Sequence, residues 1–178
     1  MKRRPYLSSQ DSLLLREAIR GRSGGSCLEI GAGNAGALVE LAEVYGIAAG
    51  TDLVAPESVE WKGSRGSFVL ADAASCFNDE SFDLVVFNPP YLPSATIEDV
   101  AVDGGIGGVQ VTLHFLREAM RVVKKGGRIL LLLSSENPLQ EIQQVCSEKG
   151  FELKKVAEKR LFYEELYVFE ATAGAPSG

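Results

Sequence analysis

The chain has 178 residues, of which 46% are hydrophobic and 24% are charged, as is typical of a folded globular protein. This length predicts one domain over residues 1–171, followed by a disordered tail at residues 172–178. The formal net charge of −6 argues against a nucleic acid as partner, because nucleic-acid binding depends largely on Lys and Arg side chains that neutralise phosphates.

Membrane segments and metal ligands are also scarce in the sequence. The longest apolar run, residues 129–133, is far shorter than the roughly 20 residues that span a bilayer, and no apolar signal segment follows the basic residues 2–4. We therefore expect no membrane association and a cytoplasmic location. The three cysteines form no CxxC pair and His114 is the only histidine, so we expect no metal site within the chain.

Apolar runs of strand length alternate with helical patterns along the chain, which predicts a mainly parallel sheet with helices on both faces. A first helix is expected from Ser9 or Asp11 to about Gly21. The next predicted elements are a strand at 27–30, a helix that includes Leu38, Leu41, Ala42 and Tyr45 and ends at Gly46, a strand at 47–51, a short helix at 57–61, and strands at 68–70 and 83–87.

The second half of the chain continues the same alternation. Leu113, Leu116, Met120 and Val123 form one face of a long helix that residues 124–127 close, and an apolar strand at 128–133 precedes a helix that ends at Gly150. The last two strands, 152–156 and 166–171, are joined by about nine residues, too few for a helical crossover, so they are expected to pair antiparallel. We predict a single-domain Rossmann-like α/β fold, with a seven-stranded, mostly parallel sheet and a C-terminal antiparallel strand.

A glycine-rich turn follows the first predicted strand. Residues 31–36, Gly31-Ala32-Gly33-Asn34-Ala35-Gly36, fit the GxGxxG pattern, in which glycines let a ligand approach the backbone. Asp52 lies about 20 residues onward at the end of the second strand, where a carboxylate would bind ribose hydroxyls. This pattern alone leaves NAD and S-adenosylmethionine as equal candidates.

Two further carboxylates favour S-adenosylmethionine. Glu29 is a carboxylate at the tip of an otherwise apolar strand, and a carboxylate there suits a ligand with a cationic amino acid moiety. Asp72 follows the third strand and is placed to accept a hydrogen bond from the adenine amino group. The predicted cofactor site therefore combines the glycine turn with Glu29, Asp52 and Asp72, together with the adjacent Leu53 and Ala73.

The fourth predicted strand runs directly into Asn88-Pro89-Pro90-Tyr91. The Asn88 side-chain oxygen and the Pro89 carbonyl are two acceptors for the N–H groups of a planar amide or amine, and the prolines fix their geometry. Tyr91 offers a flat ring for stacking. We therefore assign Asn88, Pro89, Pro90 and Tyr91 as the catalytic residues of a nitrogen methyltransferase, with Asn88 also lining the cofactor site.

These motifs resemble the HemK-like methyltransferases, specifically the short archaeal and eukaryotic type that modifies the glutamine of the Gly-Gly-Gln motif in class I peptide-chain release factors. The resemblance includes YLSSQDSLLL at residues 6–15, similar to the family's YxPxEDTxLL opening, and the glycine-rich loop at 103–108. Ser8 and Gln10 replace the usual proline and glutamate. The resemblance implies that Ser12, Glu29, Gly31, Asp52 and Asp72 contact the cofactor.

The resemblance also implies a substrate and a partner. The expected reaction is methyl transfer from S-adenosylmethionine to a glutamine amide of a release factor, and the expected partner is a small zinc-binding activator subunit that adds a strand beside residues 67–70. Adenine-N6 and guanine-N2 nucleic-acid methyltransferases look alike at the NPPY motif, so they remain an alternative, and an NAD-binding Rossmann module is a second one.

Overall fold

A computed structural model describes residues 10–33, 35–56, 66–89, 109–162 and 164–174. The assignments for Asn34, Pro90 and Tyr91, the short helix at 57–61 and the glycine-rich loop at 103–108 lie outside the described residues. The same holds for the part of the opening motif that precedes Gln10.

The described residues form one seven-stranded sheet and four helices. The helices are α1 (Gln10–Ile19), α2 (Gly36–Val44), α3 (Val109–Val122) and α4 (Leu139–Glu148). The strands are β1 (Gly24–Ile30), β2 (Tyr45–Asp52), β3 (Gly66–Leu70), β4 (Phe82–Phe87), β5 (Val123–Ser134), β6 (Phe151–Arg160) and β7 (Glu165–Ala173). None of these helices is long and apolar enough to cross a membrane.

The strand order is β3-β2-β1-β4-β5-β7-β6. The strands from β3 to β5 pair in parallel, whereas β7 is antiparallel to both β5 and β6. This arrangement confirms the predicted α/β fold with its C-terminal antiparallel strand. Chain order reverses between β1 and β4, and in open α/β sheets that reversal marks the crevice where ligands bind.

The core consists of one apolar layer on each face of the sheet. Leu84 and Val86 of β4 pack in the layer that also contains the buried residues of α1 and α2. Val85 and Phe87 point to the other face, where the buried residues of α3 and α4 lie. Strands buried on both faces require continuous apolar runs, which explains why β4 and β5 could be predicted from the sequence.

Two helix boundaries differ from the prediction. Tyr45 and Val123, which continue the apolar stripes of α2 and α3, are the first residues of β2 and β5 and pair with Gly24 and Phe82. Both side chains are buried, so they fit the apolar spacing expected of a helix. Their pairing with neighbouring strands, however, gives them an extended backbone. Residues 124–127 accordingly belong to β5, where the register with β4 shifts, rather than closing α3.

The C-terminal hairpin is longer than predicted. Strands β6 and β7 leave only residues 161–164 between them, where the Leu161 N–H donates to the Glu164 carbonyl at 2.8 Å. Strand β7 also runs into the expected tail, because Thr172 and Ala173 pair with β6. Charged residues along β6 obscure its strand pattern in the sequence.

Candidate active site

The register of the sheet brings the predicted site residues to one edge. Ile30 at the end of β1 is aligned with Thr51 of β2 and Phe87 of β4. Asp52 is in turn aligned with Leu70, the last residue of β3. The glycine turn, Asp52, Asp72 and Asn88 therefore all follow or end strands at the carboxyl edge of the sheet, next to the reversal between β1 and β4.

The glycine turn leaves its backbone open on one side. Gly31 and Gly33 have positive φ angles of 69° and 50°, which favour glycine. A Cβ atom at Gly31 would lie 2.9 Å from the ring of Phe115 in α3, whereas one at Gly33 would have no neighbour within 4 Å in the described part of the chain. Ala32 is buried and donates its N–H to the Thr51 carbonyl at 2.9 Å. The turn is thus anchored to the sheet, and a ligand has access to its backbone at Gly33.

Asp52 connects β2 to this turn. Its Oδ2 atom accepts the Gly33 N–H at 2.9 Å, and its Oδ1 atom accepts the Val54 N–H at 3.1 Å. Each carboxylate oxygen has a second acceptor position, so the half-buried side chain retains the capacity to bind ribose hydroxyls. The neighbouring Leu53 is 60% exposed and provides apolar surface beside it. The geometry fits the predicted role of Asp52.

Glu29 has a structural role that its sequence position did not reveal. The side chain is only 8% exposed, and its Oε2 atom accepts the Leu38 N–H in the first turn of α2 at 2.6 Å. Burial is the main cause that raises the pKa of Glu29, the Leu38 hydrogen bond lowers it and the charge of Asp52 raises it, so that the pKa lies at about 8. A cationic ligand group beside Glu29 would favour its ionised form, which fits a bound amino acid moiety.

The raised pKa of Glu29 gives a pH-dependent prediction. The unfolded chain loses this proton near pH 4.5 and the folded chain near pH 8, so between these values the folded state binds more protons. The free energy of unfolding should therefore fall as pH rises through this range, by up to roughly 5 kcal/mol. Urea unfolding should show a flatter pH profile for Glu29→Gln, which keeps an oxygen for Leu38. Parallel profiles for the two proteins would contradict the assignment.

Asp72 has a partner that the sequence analysis missed. Its Oδ1 atom lies 2.9 Å from Nε2 of His114, a residue of α3. Both side chains are largely exposed, whereas the next residue, Ala73, is buried and has a positive φ angle of 44°. The second oxygen of Asp72 is the one available to the expected adenine amino group. No local pattern connects positions 72 and 114, so this contact becomes visible only in the fold.

Asn88 presents an unused acceptor at the end of β4. Its Nδ2 atom donates to Oδ2 of Asp11 at 3.2 Å, and its Oδ1 atom is buried with no hydrogen-bond partner among the described residues. Pro89 beside it is buried. Ser12 donates its N–H to the other oxygen of Asp11 at 2.8 Å, which places it beside this contact. Asp11 is a site residue that sequence reasoning treated only as a helix start.

The arrangement fits S-adenosylmethionine by its chemistry. A buried acceptor without a partner is costly unless a ligand donates a hydrogen bond to it, so Asn88 Oδ1 is suited to receive an N–H group from a substrate. Glu29 suits a cationic amino acid moiety, Asp52 a ribose, and the open backbone at Gly33 a closely approaching ligand. These groups lie in order along one edge of the sheet. Such an order suits a cofactor that joins a nucleoside to an amino acid and lies beside the nitrogen to be methylated.

Comparisons with known proteins agree with this geometry. A family model described as a methyltransferase domain matches residues 28–131. A Methanocaldococcus jannaschii protein named as a protein N5-glutamine methyltransferase is 29% identical over 93% of this chain and 90% of its own length. The eRF1 methyltransferase catalytic subunit mtq2 of Schizosaccharomyces pombe is 26% identical over 48% of this chain and 41% of its own.

The fold also matches a solved structure over almost its full length. The Mtq2–Trm112 complex of E. cuniculi contains a chain that matches with a TM-score of 0.79 at 24% sequence identity, covering 95% of this chain and 98% of that one. The predicted resemblance to glutamine methyltransferases is confirmed by the names of the sequence relatives. Because the family model covers more than half of the 178 residues, the chain belongs to the methyltransferase domain family.

Proposed function

We propose that the chain transfers a methyl group from S-adenosylmethionine to the side-chain amide nitrogen of a glutamine in a class I translation release factor. The observation that carries this proposal is the Oδ1 atom of Asn88 at the sheet edge, which is buried and has no hydrogen-bond partner among the residues that the structure describes. Two further findings support it: relatives are named as glutamine methyltransferases, and the matched E. cuniculi complex methylates the translation termination factor eRF1. A release factor acts during translation, so the proposed substrate implies a cytoplasmic enzyme.

The chemistry requires that a weak nucleophile be held and oriented. An amide nitrogen reacts poorly because its lone pair is delocalised into the carbonyl group. Oδ1 of Asn88 and the Pro89 carbonyl would each accept one of its two N–H groups, which directs the lone pair out of the amide plane. The bound cofactor supplies an electrophilic methyl group on a sulfonium. Burial of the Asn88 acceptor strengthens its hydrogen bond, and the methylated nitrogen is acidic enough to lose its proton to water.

Charge separates this proposal from nucleic-acid methylation. The chain carries 18 Lys and Arg residues against 24 Asp and Glu residues, so it offers no general attraction to phosphates. Mass spectrometry should locate one added methyl group on the Gly-Gly-Gln glutamine of a release factor after incubation with S-adenosylmethionine. A release factor with that glutamine changed to alanine is the control. Methylation of adenine or guanine in an RNA or DNA mixture, with an unmodified release factor, would overturn the proposal.

A small activator subunit is part of the proposal, with β3 as its docking strand. Strand β3 is at the end of the described sheet and pairs only with β2. An unpaired edge readily accepts another strand. Leu70, Val54 and Ile47 near this edge are 63%, 57% and 61% exposed, which gives a partner apolar surface to cover. By family resemblance the activator itself binds zinc, and the matched E. cuniculi complex pairs the catalytic chain with Trm112.

A proline at position 70 tests the proposed docking strand. The Ala71 N–H donates to the Asp52 carbonyl, so the alternating N–H of Leu70 faces away from β2. Leu70→Pro should therefore weaken co-purification with a Trm112-like subunit by at least about tenfold, because it removes an outward donor and keeps the β2–β3 ladder. Leu70→Ala, which retains the N–H, is the matched control. Undiminished binding by the proline variant would argue against strand addition at β3.

A further inference from the structure

Asp11 forms a contact that reaches across the fold to the proposed reaction centre. It lies in the first turn of α1, is 2% exposed, and is separated from Asn88 by 77 positions in sequence. One carboxylate oxygen accepts the Ser12 N–H at 2.8 Å and the other accepts Asn88 Nδ2–H at 3.2 Å. The helix N-terminus favours a negative charge at this place. Asp11 therefore presents acceptor atoms alone to the Asn88 amide.

The Asn88 amide has two orientations of nearly the same shape but opposite hydrogen-bonding character. In one, Nδ2 faces Asp11 and Oδ1 faces away; in the other, Oδ1 faces the carboxylate. The second orientation would set two acceptors against each other at a buried position, which is strongly unfavourable. The carboxylate thus selects the orientation in which Oδ1 faces away from Asp11. That oxygen is buried and has no partner in the described part of the chain.

We infer that Asp11 is a positioning residue that holds the Asn88 amide with its oxygen toward the nitrogen to be methylated. This inference rests on the proposed function, since Oδ1 is needed in that direction only if the substrate group that receives the methyl carries N–H groups. The hydrogen bond from the Asn88 N–H to the carboxylate also polarises the amide and so increases the negative charge on Oδ1, because hydrogen bonds in a chain polarise one another. Asp11 acts through Asn88 and does not itself touch the substrate.

Two substitutions separate positioning from support of the helix. Asp11→Asn and Asp11→Ser both keep a side-chain oxygen for the first turn of α1, where Asn and Ser are favourable residues. Asn at position 11 still reaches Asn88 but satisfies either amide orientation, whereas Ser is too short to reach it. If Asp11 served only the helix, both variants would keep the wild-type kcat. If it positions Asn88, kcat should decrease in the order wild type, Asp11→Asn, Asp11→Ser.

The experiment measures kcat, KM for the release factor, the Kd of S-adenosylmethionine and the melting temperature for the three proteins. We expect kcat to fall about 10- to 100-fold in Asp11→Ser and less in Asp11→Asn, as for loss of a hydrogen bond to a charged group. The cofactor Kd should stay within about threefold and the melting temperature within a few degrees. Wild-type kcat in both variants, or a loss of kcat that only follows a loss of stability, overturns the inference.

Nuclear magnetic resonance of the Asn88 side chain gives a readout that is independent of turnover. The chain has four asparagines, so selective ¹⁵N labelling yields few side-chain amide signals, and Asn88→Ala identifies that of Asn88. Asp11→Asn should displace or double this signal. An unshifted single signal in both Asp11 variants overturns the inference. Failure of the proposed function is distinguishable, because the wild-type protein itself would then leave the release factor unmethylated while the amide spectra still show whether Asp11 orients Asn88.

Discussion

Replacing Asn88 with alanine should reduce kcat by about 10²–10³-fold, with the Kd of S-adenosylmethionine changed by less than about threefold. The variant removes the buried Oδ1 atom that we propose as the acceptor for the substrate N–H. Because the backbone of β4 is paired on both sides, with β1 and β5, the strand itself should stay in place. Single-turnover methylation assays and calorimetry with the cofactor measure the two quantities separately.

A matched asparagine provides the control for this prediction. Asn78 is an exposed residue in the segment between β3 and β4, and Asn78→Ala should leave both kcat and Kd unchanged. Asn88→Asp is a harsher change than its similar shape suggests, because it places a second carboxylate against the buried Asp11. A loss of cofactor binding in Asn88→Ala with normal turnover at saturation would show that Asn88 serves the cofactor and not the nucleophile.

Much of the fold was predictable because β4 and β5 are apolar on both faces and the turns carry glycine. The edge that holds the site followed from the order of the strands, since Asp52 and Asn88 each stand at a strand end in the sequence. Helix boundaries were less predictable. Tyr45 and Val123 are buried and fit a helical stripe as well as a strand, and only pairing with Gly24 and Phe82 decides between them.

The contacts within the site were not predictable, because they join residues far apart in sequence. The pairs Asp11–Asn88 and Asp72–His114 depend on where α1 and α3 pack on the sheet, which no local periodicity encodes. The hydrogen bond from the Leu38 N–H to Glu29 was missed for a related reason, since Glu29 lies in β1 and meets α2 only after the glycine turn has reversed the chain. Sequence motifs thus predicted the groups that would face ligands, and the structure added the contacts that these groups make within the fold.

Asp52→Ala should produce the opposite pattern to Asn88→Ala, with a loss of cofactor affinity of about 100-fold and a decrease in kcat of less than about tenfold at saturating S-adenosylmethionine. The carboxylate is expected to bind the ribose, and it also holds the glycine turn through the Gly33 N–H at 2.9 Å. Hydrogen bonds to a charged group contribute about 1.5–3 kcal/mol each, so the loss of one or two accounts for this magnitude.

The choice of substitution at position 52 matters, because asparagine is not a neutral replacement there. Both oxygens of Asp52 accept backbone N–H groups, so an amide would set its own NH₂ group against either Gly33 or Val54. Asp52→Asn should therefore weaken binding about as much as Asp52→Ala, whereas Glu141→Ala, which removes an exposed carboxylate of α4, should not change the Kd. Calorimetry with S-adenosylmethionine decides the matter. If Asp52→Asn binds as tightly as the wild type, neither the charge of the carboxylate nor its acceptance of both backbone N–H groups is needed for cofactor binding.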